Sequence, residues 1–107
     1  MNSREKGKRG ELELAKVLRE LGIEARRGQQ YSGANGDADV IGMDGIHIEC
    51  KRVEQMNVEK ALRQSERDTR DGEIPVVMHR ANGTGWKVTL RLKDFAAMYK
   101  GWKKEDL

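Results

Sequence analysis

Two acidic residues and a lysine fall where neighbouring strands would bring them together. Glu49 and Lys51 are two residues apart in the run Ile46–Arg52, so in a strand both side chains project from one face. A hairpin would set Asp39 beside them. Two close carboxylates repel each other, and a hard divalent cation such as Mg²⁺ or Mn²⁺ relieves that repulsion. The spacing therefore indicates a metal site that could polarise a phosphodiester, with Lys51 managing the attacking water.

A solvent-facing ion cluster is the alternative interpretation of the same residues. Spacing alone supports it about as well as a metal site, because cross-strand ion pairs are common on exposed sheets. Ile48 and Cys50 favour the metal site, since they indicate a buried face next to the charged one. The glycine-rich segment before Asp39 also favours it, because small residues allow a bulky partner to approach.

The length of the hairpin loop decides whether the two acids meet. A two-residue Asp44–Gly45 loop places Asp39 opposite Cys50, on the other face from Glu49. A three-residue loop, with Gly45 left-handed at a bulge, pairs Asp39 with Glu49. We predict the three-residue loop, although a bend at Asp39 would reconcile the shorter loop with the same chemistry. The predicted polar face then carries Asp39, His47, Glu49 and Lys51.

The flanking sequence predicts helices around these strands. Leu14, Val17 and Leu18 recur at helical spacing and Gly22 supplies a stop, so a helix runs from about Ser3 to Leu21, with Glu11 at the edge of its buried stripe. The next predicted elements are a short strand in Gly22–Arg27, an irregular loop in Gly28–Gly36, and strands in Asp37–Met43 and Ile46–Arg52. They are followed by a helix capped by Asn57 and reaching Thr69, and by antiparallel strands in Ile74–His79 and Trp86–Leu90. The last predicted element is a helix in Leu92–Tyr99 that presents Phe95 and Met98 or Tyr99 to the core.

Length and composition indicate one folded domain. The 107 residues, with 36% hydrophobic residues, predict a single domain over 1–107 with a small core and a flexible tail at 101–107. A dimer interface would enlarge that core. No apolar run is long enough to cross a membrane and no secretion signal is present, while Cys50 has no cysteine to pair with. We therefore expect a cytoplasmic protein with no membrane partner.

Basic residues are clustered, although the net charge is only +3. Such clusters could contact phosphates if they converge on one surface, but a basic run taken alone is more often ordinary solvated surface. The clusters are Arg4, Lys6, Lys8 and Arg9, then Arg26 and Arg27, then Lys51 and Arg52.

These residues resemble a known family. The segment Gly36–Ile41, followed by the run Ile-Glu-Cys-Lys at Ile48–Lys51, is similar to the PD-(D/E)XK nuclease motif, and especially to archaeal Holliday-junction resolvases and related phage nucleases. Upstream, Gly7–Glu13 resembles the family's N-terminal segment, in which a helical glutamate joins the metal site. The resemblance covers roughly residues 6–52, and the remainder only by the order of the elements.

The resemblance implies an α/β fold with a restriction-endonuclease-like core, in which helices flank a mixed central β-sheet. It further implies divalent metal, phosphodiester hydrolysis and a homodimer. Asp39 and Glu49 would be metal ligands, Lys51 the catalytic lysine, and Glu11 the helical acidic residue that joins the metal. The phage members of the group make a phage- or prophage-encoded protein one expectation for its origin.

Some positions depart from the family pattern or stay ambiguous. Ala38 stands where a proline often precedes the motif aspartate, and Asp37 offers a second candidate acid. Ser32 falls in the loop where related resolvases carry a serine near DNA. Gln64 occupies a helical position that contacts the site in some members, but a surface glutamine without a role is the more common case. A histidine in the position of His47 likewise has a structural role more often than a functional one.

The combined prediction is a Mg²⁺- or Mn²⁺-dependent DNA endonuclease that acts on Holliday-junction or other branched DNA. Phosphate contacts would fix the DNA by its shape, with little readout of bases. The predicted DNA-binding residues are Lys8, Arg9, Arg27, Ser32 and Arg52. One alternative is a general phage or mobile-element endonuclease without a junction preference. Another is a DNA-binding module that kept the fold and lost catalysis.

Overall fold

The computed structural model describes residues 3–28 and 38–105, and they form three helices and five strands. Ser32 and Asp37 lie outside the described residues, as does most of the predicted glycine-rich loop. In chain order the elements are α1 (Ser3–Glu20), β1 (Arg26–Arg27), β2 (Val40–Ile41), β3 (Ile46–Arg52), α2 (Val58–Asp68), β4 (Ile74–Arg80), β5 (Lys87–Thr89) and α3 (Leu92–Glu105).

The five strands form one mixed sheet in the order of the sequence. Strand β3 pairs with β2 in the antiparallel sense and with β4 in the parallel sense, because α2 carries the chain across between β3 and β4. The pairs β1–β2 and β4–β5 are antiparallel. The predicted α/β fold with a mixed central sheet is confirmed.

Helices α1 and α2 cover opposite faces of the sheet. The α1 side chains Leu14 and Leu18 pack in one buried cluster with Val76 of β4, whereas Leu62 of α2 packs against Val77. Consecutive strand residues point to opposite faces, so the two helices cannot share one. Glu49 pairs in register with Val77 and therefore lies on the α2 face.

Local signals set the ends of α2 where the sequence predicts them. The Asn57 side chain accepts a hydrogen bond from the Lys60 backbone N–H at 3.0 Å, which satisfies a free donor of the first turn. Thr69 caps the other end. Ser65, which is fully buried, donates from its hydroxyl to the Val76 carbonyl at 3.1 Å, so this polar residue pins α2 to the sheet without an unsatisfied group.

The first hairpin strand is shorter than predicted. We expected Asp37–Met43, whereas β2 contains only Val40 and Ile41. Gly42 ends the strand with a φ of +126°, and a Cβ there would lie 2.4 Å from the Glu24 carbonyl oxygen. Close backbone contact with the preceding loop therefore replaces strand pairing beyond Ile41.

The predictions for the last helix are wrong in two respects. Helix α3 continues past Tyr99 to Glu105, so most of the segment expected to be a flexible tail is helical. The side chains expected in the core are exposed: Phe95 is 55% exposed and Met98 is 42% exposed. The amphipathic spacing correctly indicated a helix, but spacing cannot identify the surface on which an apolar face packs.

Candidate active site

The hairpin has the predicted three-residue loop. Val40 pairs with Ile48, and this register places Asp39 across from Glu49. Gly45 adopts a φ of +84°, the left-handed conformation that the loop requires, and the Ile46 N–H donates to the Met43 carbonyl at 3.0 Å. The prediction of this register is confirmed.

Asp39 is held by backbone groups on both sides. Its Oδ2 accepts a hydrogen bond from the Cys50 N–H at 2.9 Å, and its own N–H donates to the Ile48 carbonyl at 3.0 Å. From the other side, the Gly28 N–H donates to the Asp39 carbonyl at 2.9 Å. A Cβ at position 28 would lie 2.0 Å from the Ala38 carbonyl oxygen, so only glycine permits this approach. The carboxylate of Asp39 is thereby fixed beside β3.

Glu49 is a buried carboxyl group next to a second one. It is 5% exposed, and its carboxyl group lies next to that of Asp39. Burial, followed by repulsion from Asp39, raises the pKa of Glu49 from 4.5 to about 8, although Lys51 acts in the opposite direction. The uncharged form of Glu49 is therefore favoured when no cation is bound.

Lys51 lies on the same strand face as Glu49. Its Nζ is 3.9 Å from Glu49 Oε1, and its side chain is 31% exposed. The ammonium group is thus close to the carboxyl pair and still reachable by a substrate from solvent.

Glu11 enters the same pocket from α1, but it is bound to an arginine. It is 8% exposed and accepts a hydrogen bond from Arg27 Nε at 2.7 Å. Helix α1 approaches β3 closely at Gly10, where a Cβ would lie 2.7 Å from the Cβ of Arg52. Glycine at this position lets the helix bring Glu11 to the sheet. Glu11 does not, however, form a trio with Asp39 and Glu49 in which all ligand atoms lie within 4.8 Å of one another.

The four predicted catalytic residues line one open pocket of about 470 Å³. Gln64 of α2 also lines it, so the family-like position does face the site, although a role was the less favoured interpretation of this residue. The lining residues are Lys6, Gly7, Glu11, Asp39, Glu49, Cys50, Lys51, Arg52, Val53 and Gln64.

The cysteine at the pocket lies in surroundings that disfavour its thiolate form. Burial, and then the negative charge of Asp39, raises the pKa of the Cys50 thiol far above its ordinary value. Only the thiolate attacks or binds metal readily, so at neutral pH Cys50 contributes its backbone N–H and its packing against the core.

A second group of potential ligands lies against Glu49. His47, Glu49 and Asp68 offer ligand atoms that all lie within 4.8 Å of one another. The register predicted His47 on this face, but sequence reasoning missed Asp68. A signal existed: Asp68 follows Gln64 by one helical turn, so both border the buried stripe of α2 that contains Ala61 and Ser65.

The predicted DNA-binding residues differ in their exposure and in their contacts with acidic side chains. Lys8 and Arg9 are exposed on α1. Arg27 is paired with Glu11, and Arg52 contacts Glu13 at 3.4 Å and Asn82 at 2.9 Å. Glu13 also pairs with Arg80, so these cations help to hold α1 on the sheet.

The donor set at the pocket fits a hard divalent cation. Asp39 and Glu49 supply carboxylate oxygens, the ligand type that Mg²⁺ and Mn²⁺ prefer, and they come from a rigid hairpin. A cation bound there would compete with the proton that the raised pKa of Glu49 favours. The arrangement can therefore bind metal next to a lysine in a cleft open to solvent.

Comparisons with known proteins support the fold. No family model and no curated protein matches the sequence. Among solved structures, the chain is similar to the Holliday junction resolvase Hjc of Archaeoglobus fulgidus, with a TM-score of 0.60 and 19% sequence identity over 77% of this chain and 74% of that one. The resemblance identified from the sequence is thus confirmed as a shared fold.

Within residues 3–28 and 38–105, none of the helices combines the length and the hydrophobicity needed to cross a membrane.

Proposed function

We propose that this chain is a divalent-metal-dependent endodeoxyribonuclease that hydrolyses branched DNA, with the four-way Holliday junction as its preferred substrate. The observation that carries the proposal is the meeting of Asp39 and Glu49 in one open pocket, with Lys51 beside them. Burying a carboxyl group so that its pKa rises lowers the free energy of unfolding at neutral pH. Residues with such perturbed pKa values are found most often at functional sites. The fold shared with a Holliday junction resolvase supports the choice of substrate.

Asp39 and Glu49 would hold Mg²⁺ or Mn²⁺. Such a cation polarises a phosphodiester, stabilises its developing charge and lowers the pKa of water. The hairpin contributes rigidity, because the Cys50 N–H and the Gly28 N–H fix Asp39 before any ligand arrives.

Lys51 would act on the nucleophile and on the charge of the transition state. Its ammonium group is close enough to Glu49 to remain oriented toward the pocket, and it is partly exposed to the DNA. It can orient the attacking water or stabilise negative charge on the phosphoryl oxygens.

Glu11 would assist from α1. It accepts a hydrogen bond from Arg27, and a cation would compete with the guanidinium group for the carboxylate of Glu11. We therefore assign Glu11 to a secondary role in metal binding, through exchange of partners between Arg27 and the cation.

DNA would lie across the pocket and be held by its phosphates. Lys8 and Arg9 are exposed on the helix that carries Glu11, so they are suited to backbone contacts, and Arg27, Arg52 and Ser32 complete the proposed set. Symmetric incision of a junction needs two active sites related by a two-fold axis, and we propose a homodimer for this reason. We place the reaction in the cytoplasm.

The test is cleavage of a labelled four-way junction and of a linear duplex with matched arm sequence. Each substrate is incubated with Mg²⁺, with Mn²⁺ and with EDTA, using the wild type, Glu49→Ala and the control Glu20→Ala, which removes an exposed carboxylate at the end of α1. We expect paired symmetric incisions in the junction, lost with EDTA and with Glu49→Ala but retained with Glu20→Ala.

The other outcomes separate the remaining functions. Equal cutting of the junction and the duplex would replace junction preference with a general endonuclease. Binding of either DNA without any metal-dependent cutting would replace the enzyme with a DNA-binding module on the same fold.

A further inference from the structure

The trio His47, Glu49 and Asp68 is built by two elements that meet on the α2 face of the sheet. His47 and Glu49 are alternate residues of β3, and Asp68 is the last residue of α2. Their ligand atoms lie within 4.8 Å of one another, so one ion could contact all three side chains. The trio includes neither Asp39 nor Lys51, so it is a different set from the proposed catalytic pair and shares only Glu49 with it.

His47 is a buried polar side chain with few polar groups near its imidazole ring. The residue is 3% exposed, and among the described residues no hydrogen bond to its imidazole ring is formed. Its nearest charged neighbour is Glu73, whose Oε1 is 3.7 Å from His47 Nδ1, beyond hydrogen-bonding distance. Neutral imidazole is the commonest metal ligand among side chains, so the ring of His47 is suited to bind an ion at this position.

Electrostatics at the end of α2 also favour a cation. Asp68 lies in the last turn, where the helix carbonyls already carry partial negative charge, so an acidic residue is unfavourable there. Asp68 forms no salt bridge with any described residue, and its charge acts on Glu49 as well. A cation between His47 and Asp68 would compensate both the carboxylates and the helix terminus.

The ligand types indicate which ions would bind. Carboxylates alone suit Mg²⁺ and Mn²⁺, whereas an imidazole nitrogen favours Zn²⁺. Ligand atoms around a tetrahedral zinc ion with bonds of about 2.0–2.1 Å are roughly 3.3 Å apart. The exposed side chain of Asp68 would therefore have to close by no more than about 1.5 Å.

We propose that His47, Glu49 and Asp68 form a second divalent-cation site, which binds Zn²⁺ in preference to Mg²⁺ and shares Glu49 with the catalytic pocket. Binding at this site is a property of the folded chain and can be measured whether or not the chain cuts DNA. The ions bound around Glu49 would then depend on the concentrations of two kinds of metal ion.

The chain offers a direct spectroscopic test, because it contains two histidines. His79 lies elsewhere, with its Nε2 2.8 Å from the Thr89 hydroxyl. On titration with Zn²⁺, the imidazole NMR signals of His47 should shift while those of His79 stay in place. Mg²⁺ at the same concentration should leave the His47 signals nearer to their metal-free positions. A shift confined to His79 would overturn the proposal.

Variants test the ligand set by calorimetric titration with Zn²⁺. His47→Gln and Asp68→Asn should each weaken Zn²⁺ binding by about tenfold or more, because loss of even a residue that only hydrogen-bonds to a metal ligand typically costs about 10–100-fold. Asp71→Asn is the matched control, because Asp71 is an exposed acid next to the end of the same helix. Asp68 is itself exposed, so its replacement tests the site without disturbing the core.

Two further results would overturn the proposal. One is wild-type Zn²⁺ affinity in Asp68→Asn and in folded His47→Gln, and the other is loss of Zn²⁺ binding in Cys50→Ser with the trio intact. Mg²⁺-dependent cleavage by Asp68→Asn, measured alongside, tests the proposed nuclease separately, since Asp68 has no part in that mechanism.

Discussion

Glu49 illustrates how one buried carboxyl group couples stability to function. Its raised pKa means that the folded state binds a proton that the unfolded state has already released between pH 4.5 and about 8. In the absence of metal, the free energy of unfolding therefore falls as the pH rises through that interval and stays low above it. A bound cation would take the place of the proton and restore the lost free energy of unfolding.

Glu49→Gln should remove this pH dependence, because the amide cannot ionise. In EDTA at pH 8 the variant should be more stable than the wild type by roughly 4 kcal/mol, since each pKa unit between 4.5 and about 8 contributes about 1.4 kcal/mol and the folded group is half ionised at pH 8, whereas at pH 4.5 the two should be similar. Thermal denaturation at both pH values measures the difference. Glu20→Gln is the control, and an unchanged pH dependence in Glu49→Gln would show that burial does not perturb Glu49.

Lys51→Ala should separate metal binding from catalysis. The ammonium group is not a metal ligand, so Mg²⁺ affinity should stay within about threefold of wild type, while single-turnover cleavage should fall by roughly 10²–10⁴-fold, the range for loss of a positioned proton-transfer group. Lys100→Ala, on exposed α3, serves as the control. Cleavage reduced less than tenfold would remove Lys51 from the mechanism.

Helix α1 brings Glu11 to the site because of a contact that only glycine allows. Gly10→Ala would place a Cβ 2.7 Å from the Cβ of Arg52, so α1 would have to move away from β3. We expect a loss of about 1–3 kcal/mol in unfolding free energy together with weaker Mg²⁺ binding.

Gly7→Ala is the matched control for this change. It lies in the same helix, with nothing within 4 Å of the added Cβ, and alanine should stabilise the helix by up to about 1 kcal/mol. Denaturation in urea compares the two variants. Equal stabilisation by both would contradict the close approach of α1 at Gly10.

The hairpin shows what sequence can predict about the site and where such prediction ends. The turn residues and the alternation of β3 specify the pairing of Asp39 with Glu49, because both depend on local geometry. The pairing of Arg27 with Glu11 and the approach of Asp68 depend on how α1, β1 and α2 pack together. Residue spacing can show that Asp68 borders the buried stripe of α2, but it cannot show which part of the sheet that border meets.

At the scale of the whole molecule, the core is confined to the sheet and two of the three helices. Leu14 is 2% exposed, whereas Phe95 on α3 is 55% exposed. Leu14→Ala should therefore cost about 2–5 kcal/mol, and Phe95→Ala should change the free energy of unfolding by less than roughly 0.5 kcal/mol. Urea denaturation at low protein concentration checks both. A large cost for Phe95→Ala in the monomer would show that α3 belongs to the core.

The exposed cations of α1 determine how DNA binding should respond to salt. Replacing both Lys8 and Arg9 by alanine should weaken junction and duplex binding together, because phosphate contacts carry no base readout. The slope of log K against log salt concentration should decrease in magnitude by roughly 1.8, about 0.9 for each lost contact. Anisotropy titrations in EDTA measure it, with Lys93→Ala/Lys100→Ala on α3 as the control. Unchanged slopes would place the DNA elsewhere.

Helix α3 is nevertheless attached to the rest of the chain at its base. Arg91, the residue before the helix, contacts Glu59 at 2.7 Å and Glu66 at 3.1 Å, both on α2. Beyond that clamp the apolar side chains face outward, and Trp102 is 60% exposed with its ring against Tyr99. The helix therefore starts from a fixed point while its far end carries an aromatic surface.

The two tryptophans consequently lie in surroundings of different polarity. Trp86 packs against the core, whereas Trp102 is in contact with water. Their fluorescence should differ in colour, with Trp86 emitting at shorter wavelength and Trp102 at longer wavelength and more open to quenching by iodide. Unfolding would shift the short-wavelength emission of Trp86, and any partner that covers α3 would shift the long-wavelength emission of Trp102. One emission spectrum can therefore follow both events in the unlabelled protein.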